Sequence, residues 1–251
     1  MAISLTQYEQ GKPFPGDAAA ALAALQDRLV HLNQAQIAHQ HRLIVLLEGW
    51  DGSGRKAILR QLLGALDPCQ VAIHCAAAPS FAEEERHWLT PFWTRLPRAA
   101  ETALYYGSWY RRPIEQRALG AMDDSHWARA FDEINEFEAQ QLDSGTLLVK
   151  LFFHVSEGVR ERRLRARAAD PWLRDSSAAG QEMDREEVIA ALQKMFAATD
   201  TRWAPWTVVD ANDETAAQIA ALSMVADQLE KKLPKQPPVR DETVVPISRV
   251  G

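Results

Sequence analysis

An apolar run, Leu43 to Leu47, leads into Glu48-Gly-Trp-Asp-Gly-Ser-Gly-Arg-Lys56. The spacing of Gly49 and Gly54, with Gly52 and Ser53 between them, is that of a phosphate-binding loop, Gly-x-x-x-x-Gly-Lys. Its glycines let backbone N–H groups converge on phosphate oxygens at a helix start, and its lysine reaches the outer phosphates. Here Arg55 stands at the lysine position and Lys56 comes one residue late. One step along a helix turns a side chain by about 100°, so Lys56 cannot simply replace the missing group. The loop is expected to bind phosphate through Gly49, Gly52, Ser53, Gly54, Arg55 and Lys56, and phosphate transfer is the open question.

Asp51 lies inside this loop. A carboxylate beside phosphate is repelled unless Mg²⁺ or an incoming group shares the site, so Asp51 is either a metal-side carboxylate or a turn-forming Asp before Gly52. Further along, Leu104-Tyr-Tyr-Gly-Ser-Trp-Tyr-Arg-Arg112 places Tyr106 where a P-loop kinase sets an aspartate to hold Mg²⁺. A neutral phenol is a poor ligand for a hard cation. Arg112 is either a phosphate contact or a surface arginine. Arg160, Arg163 and Arg167 recur on one helical face. They form either a solvated charge run or lid arginines that close on a transferring phosphate, for which planar guanidinium groups are suited. Ala76 to Ser80 with Glu83, Glu84, Glu85 and Arg86 reads as a strand end leading into an acidic helix start.

These groups need a scaffold that gathers loops at one edge. Residues 17–40 read as an amphipathic helix with Asp17 as N-cap and Leu22, Leu25, Leu29 and Leu32 on one face. Strands are expected at 43–48, 70–76, 102–106, 146–154 and 206–210. Helices are expected at 55–66 and 83–94, a long helical region at 114–142, and further helices over the arginine-rich stretch 160–167, at 184–198 and up to about 232. Strands alternating with helices predict an α/β fold, a doubly wound parallel five-stranded sheet of the P-loop kinase type with a small helical lid at about 160–185. A lead over 1–16 and a flexible tail over 233–251 flank a domain at 17–232. In such a sheet, ligands sit beyond the carboxyl ends of the strands. Trp203, Pro205 and Trp206 read as core around the last strand, and His74, His87 and His154 as isolated structural residues.

A formal net charge of −6 argues against a nucleic-acid surface spread over the whole chain and leaves room only for a local basic cleft. Cys69 and Cys75 make neither a disulfide framework nor a zinc site and read as small core residues in a reducing compartment. No run approaches the length of a membrane span, and the first residues lack the pattern of a secretion signal, so a cytoplasmic, non-membrane protein is expected.

Several short segments occur together in a recognisable order. They are Glu48 to Gly54, Ala78-Pro-Ser80 with Glu84-Glu85-Arg86, Phe92-Trp93 with Leu96-Pro97, Gly107-Ser-Trp-Tyr110, Asp170-Pro171, and Thr199 and Thr201 ahead of Ala204-Pro-Trp206. In order and spacing from about 17 to 230 the chain resembles the polyphosphate kinase 2 family. That resemblance implies a P-loop phosphotransferase moving phosphate between inorganic polyphosphate and a nucleotide, AMP or ADP, with Mg²⁺, a lid and a basic channel. It also implies that Asp51 matches the essential loop carboxylate, Arg112 the arginine after Ser-Trp-Tyr, and Arg163 and Arg167 the lid or channel arginines. The chain departs from the family at Arg55 for lysine, at Tyr106-Gly107 for Asp-Arg, and in lacking lysines after Asp170-Pro171. With Pro113-Ile114 and Arg117 it looks like the catalytically degenerate N-terminal half of two-domain polyphosphate:AMP phosphotransferases, standing here without its active partner.

Three readings follow: a weak or inactive phosphotransferase of this family, a pseudoenzyme that binds polyphosphate or pairs with an active homologue, and a thymidylate kinase-type enzyme. The last does not account for Ser-Trp-Tyr and Ala-Pro-Trp. A homo-oligomer, or a complex with an active homologue, is an expectation from the resemblance alone.

Overall fold

Apolar residues on both faces of each inner strand require covering layers on both sides, and that is how the chain folds. The computed structural model describes residues 3–76, 85–170 and 183–238. Five parallel strands, β1 (Arg42–Gly49), β2 (Val71–Cys75), β3 (Thr102–Tyr106), β4 (Thr146–His154) and β5 (Trp206–Asp210), lie in the order β2-β3-β1-β4-β5. Along β1 the side chains alternate between two cores. Leu43, Val45 and Leu47 pack under α1 (Ala18–Ala38), α2 (Arg55–Ala65) and the last helix, while Ile44 and Leu46 join the opposite, aromatic-rich core. Helices α3 (Thr90–Trp93), α4 (Arg111–Ala118), α5 (Asp124–Asp143), α6 (Glu157–Ala169), α7 (Arg185–Thr199) and α8 (Glu214–Lys232) follow in chain order, and a short 3₁₀ helix, Leu5–Tyr8, lies ahead of α1.

The aromatic core is organised around a buried ion pair. Lys150 Nζ donates to Glu138 Oε2 at 2.9 Å, Tyr110 Oη at 3.0 Å and the Thr199 carbonyl at 2.8 Å, so all three of its protons have acceptors. Glu138 Oε1 accepts from Trp109 Nε1 and Tyr110 Oη. The Ser-Trp-Tyr segment is thus anchored from beneath, and it leaves β3 in a fixed direction.

Several sequence expectations need correction. The long helical region expected over 114–142 divides into two helices. Gly120, at φ +67°, ends the first and Asp123 caps the second by accepting from the His126 amide. Of the helix expected at 83–94, residues 83 and 84 lie outside the described residues, 85–89 are not helical, and a short helix starts at Thr90 with Pro91 in its first turn. Cys69 and Cys75 are exposed, not core. Trp203 and Pro205 are exposed, and only Trp206 of that trio is buried. The lead packs against the domain. Leu5 is buried, Gly11 N–H donates to Asp210 Oδ2, and Asn212 Nδ2 donates to the Tyr8 carbonyl. The start of the tail also docks, with Leu233 in the first core and His39 Nε2 against the Gln236 carbonyl; residues 239–251 lie outside the described region.

Candidate phosphate site at the carboxyl end of the sheet

The strand order reverses at β1, with β3 on one side and β4 on the other, which is where a doubly wound sheet opens a crevice beyond its strand ends. Register places Tyr106 beside Leu47, Phe153 beside Gly49, and Asp210 beside His154. The glycine loop lies between these strand ends.

Glycine is required at the loop entry. Gly49 has φ +136°, and a Cβ there would lie 2.3 Å from the Phe153 carbonyl oxygen. Gly52 and Gly54 also take positive φ, and Gly54 caps α2, whose first residue is Arg55. The leading amides of a helix have no intrahelical partner and carry a partial positive charge, so α2 points an anion-attracting end at the loop. The loop borders an open cavity of about 160 Å³. Ser53, one of the residues lining the cavity, is buried, and its Oγ has no hydrogen-bond partner among the described residues. An orphaned buried hydroxyl beside a helix N-terminus fits an oxyanion.

Helix α6 roofs the loop, and the three arginines expected on one of its faces do three different things. Arg167 grips Asp51 in a two-pronged ion pair, Nη1 to Oδ1 at 3.0 Å and Nη2 to Oδ2 at 2.6 Å. Burial pushes the Asp51 carboxyl up, but the Arg167 hydrogen bonds and charge, with the Gly52 amide and Arg55, outweigh it and hold the group below its ordinary range. Arg163 is committed to backbone, donating to the carbonyls of Gly52 (3.1 Å), Ala211 (2.8 Å) and Asn212 (2.9 Å), and it pairs with Glu214 at 3.1 Å. It clamps α6 to the loop and to the end of β5, and it also lines the cavity beside the loop. Arg160 pairs with Glu157 and sits 6.0 Å from the Trp50 ring.

The two departures from the phosphate-loop pattern touch each other. The Arg55 guanidinium carbon stands 4.6 Å over the Tyr106 ring, and Nη1 donates to the Leu47 carbonyl at 3.2 Å. This cation–π contact is worth about 1 kcal/mol, rising to about 2 where water is excluded. Lys56 lines the same cavity. Arg112 is partly buried on α4 and is not among the cavity-lining residues; its neighbour Arg111 reaches the Ala76 carbonyl at 3.3 Å instead.

Three features went unread in the sequence. Glu48 is buried at the end of β1 and accepts from the Ser108 amide at 2.5 Å and its hydroxyl at 2.6 Å, tying β1 to the Ser-Trp-Tyr segment. Burial raises its carboxyl above the ordinary value against the pull of Ser108, Arg55 and Arg111. Trp50 Nε1 donates to His154 Nδ1 at 2.9 Å, and His154 Nε2 faces Glu9 Oε1 at 2.9 Å. An indole can only donate, so Nδ1 is the acceptor and the imidazole proton sits on Nε2, shared with Glu9. The Arg185 guanidinium lies over the Trp50 ring at 4.4 Å. A lone tryptophan among the small residues of the loop was the available signal, but its partners lie more than a hundred residues away.

Mg²⁺ needs several oxygen ligands in near-octahedral order. The only carboxylate of the loop is held by Arg167, Tyr106 occupies the end of β3, and among the described residues no group of three or more His, Cys, Asp and Glu is placed to hold a metal. The residues present do not fit that ion.

A glycine loop on the central strand of a doubly wound sheet, roofed by an arginine-bearing helix, defines a P-loop, kinase-like protein. The pattern described as polyphosphate kinase 2 matches residues 16–237, and the chain belongs to that family. It is 32% identical over 212 residues to the polyphosphate:AMP phosphotransferase of Pseudomonas aeruginosa, covering 83% of this chain and 43% of that protein. It is 28% identical over 229 residues to ADP-polyphosphate phosphotransferase 2 of Rhizobium meliloti, covering 90% and 74%. The crystal structure of polyphosphate kinase 2 from Arthrobacter aurescens superposes with a TM-score of 0.83 at 27% identity, over 95% of this chain and 89% of that one. The chain spans less than half the length of the polyphosphate:AMP phosphotransferases it matches. No described helix is long and apolar enough to cross a membrane.

Proposed function

We propose that this chain binds inorganic polyphosphate at loop 49–56 and that its phosphate transfer to AMP or ADP is slow or absent. The names of its relatives supply the substrate class, polyphosphate and a nucleotide. The observation that carries the low activity is the Arg55 guanidinium laid on Tyr106 and hydrogen-bonded to Leu47. A compact, mobile ammonium has been exchanged for a bulky fork held against the strand ends. Loss of the lysine and of the acidic metal anchor removes two electrostatic contributors to the transition state, each worth ~10²-fold or more.

The test is phosphate transfer from polyphosphate to AMP and to ADP with Mg²⁺, for the wild type and for Arg55→Lys with Tyr106→Asp. Slow wild-type transfer and a gain in the double variant are expected. Rapid wild-type turnover refutes the reading. Polyphosphate binding without turnover in either protein favours the second reading, a binding or pairing partner of an active homologue, which the intact loop and the unpartnered Ser53 hydroxyl support.

A further inference from the structure

We propose that the loop takes up polyphosphate as the free polyanion, with no divalent cation bridging it to the protein. This rests on the reading of loop 49–56 as a phosphate site and concerns how the charge of the ligand is met. In a metal-assisted site the ion does two things: it separates the phosphate from a nearby carboxylate, and it links the two through shared oxygens. Here the protein's own side chains do the first and preclude the second.

Both oxygens of Asp51 lie on the Arg167 guanidinium, so an arriving phosphate meets an ion pair and not a bare carboxylate. At the end of β3, where a second oxygen ligand would be needed, Tyr106 presents a ring to Arg55 and holds that cation in the cavity wall. Glu48, the remaining acid at the end of β1, is buried and tied to Ser108 by both of the hydrogen bonds its Oε1 accepts. The side chains lining the cavity include Arg55, Lys56, Arg163 and Arg167 against Asp51 and Glu214, four cations to two carboxylates, an excess of two positive charges. The positive end of α2 adds to that excess. A wall with this balance attracts a polyanion directly and leaves a divalent cation little to bind.

Isothermal titration of the full chain with inorganic tripolyphosphate, once in EDTA and once in millimolar Mg²⁺, tests this. The dissociation constant in EDTA is expected to equal or be tighter than that in Mg²⁺, because Mg²⁺ sequesters ligand charge. Binding that requires Mg²⁺ overturns the proposal while leaving the phosphate-site reading intact. Absence of binding in both buffers overturns the phosphate-site reading and this proposal with it. Tyr106→Asp restores an oxygen ligand and should make the same titration at least about tenfold weaker in EDTA than in Mg²⁺. If that folded variant binds equally in both, Tyr106 is not what frees the site from the cation, and the assignment fails.

Discussion

Replacing Gly49 by alanine should damage both stability and anion binding, and the structure allows the cost to be separated into parts. Gly49 adopts φ +136°, which an L-residue reaches at a cost of about 1–2 kcal/mol. Its new Cβ would stand 2.3 Å from the Phe153 carbonyl oxygen, 2.8 Å from its nitrogen and 3.0 Å from its carbonyl carbon. All three are backbone atoms of the neighbouring strand, so no side chain can rotate away. Relief requires the ends of β1 and β4 to part, which breaks the hydrogen bond from the Trp50 amide to the Phe153 carbonyl, now 3.3 Å long. A buried, unpaired backbone group costs about a further 1–3 kcal/mol, for a total of about 2–5 kcal/mol. Gly120→Ala is the internal control: φ is +67° there, but a Cβ meets nothing within 4 Å. The control should lose only about 1 kcal/mol, since the stiffer unfolded chain offsets part of the conformational cost. Urea denaturation of the two variants, followed by tryptophan fluorescence, gives the difference directly, and titration with tripolyphosphate should show Gly49→Ala binding at least about tenfold more weakly while still folded. Equal destabilisation by the two substitutions would refute the claim that close approach to β4 shapes the loop.

The buried pair makes a second prediction: Lys150→Met strands the Glu138 carboxylate and should cost about 3–5 kcal/mol in urea denaturation, with part recovered by adding Glu138→Gln, which sheds the charge but still accepts from Trp109 and Tyr110. A third concerns His154, whose imidazole is pushed below its ordinary value of 6.5, first by burial and then by Arg185, with Glu9 and Asp210 opposing. The native state therefore binds fewer protons than the unfolded chain just below that value, so stability should rise with pH across that window and fall away on acidification. Protonated Nδ1 could no longer accept from Trp50. His154→Asn, which keeps an acceptor near the indole but cannot titrate, should flatten that part of the stability curve; an unchanged slope would assign the pH response to other groups.

The α/β order and the glycine loop were legible because each is written locally. The apolar run of β1, the cap Asp17, and the positions of Gly49 and Gly54 follow from residue type and spacing over a few residues. The break inside residues 114–142 was equally local, yet the apolar periodicity ran on past Gly120 and Asp123 and concealed it. Other features were set by strand order and register. Neither the Arg167 grip on Asp51 nor the Glu9–His154–Trp50 chain has a signal in any window, since their members lie 116, 145 and 104 residues apart. Helical spacing put Arg160, Arg163 and Arg167 on one face correctly, but only the position of that face over the loop decides which of them meets a carbonyl and which a carboxylate.

The same distinction explains why the two unusual residues are best understood together. Read singly, Arg55 looks like a damaged lysine and Tyr106 like a lost metal ligand. Register brings them into contact, because Tyr106 pairs with Leu47, whose carbonyl accepts from Arg55. A ring at 106 gives the guanidinium a flat surface to lie on, and a guanidinium at 55 uses that surface in a way a hydrated ammonium would do less well. Restoring lysine alone therefore leaves Tyr106 without its cation and the site still without an acid. Restoring aspartate alone returns an oxygen ligand for a cation but leaves the Arg55 fork, now without its ring, where transfer needs a compact ammonium. Recovery of transfer should therefore be strongly non-additive, appearing in the double variant and in neither single one, and additive gains from the two single substitutions would show that the contact between these residues does not govern the site.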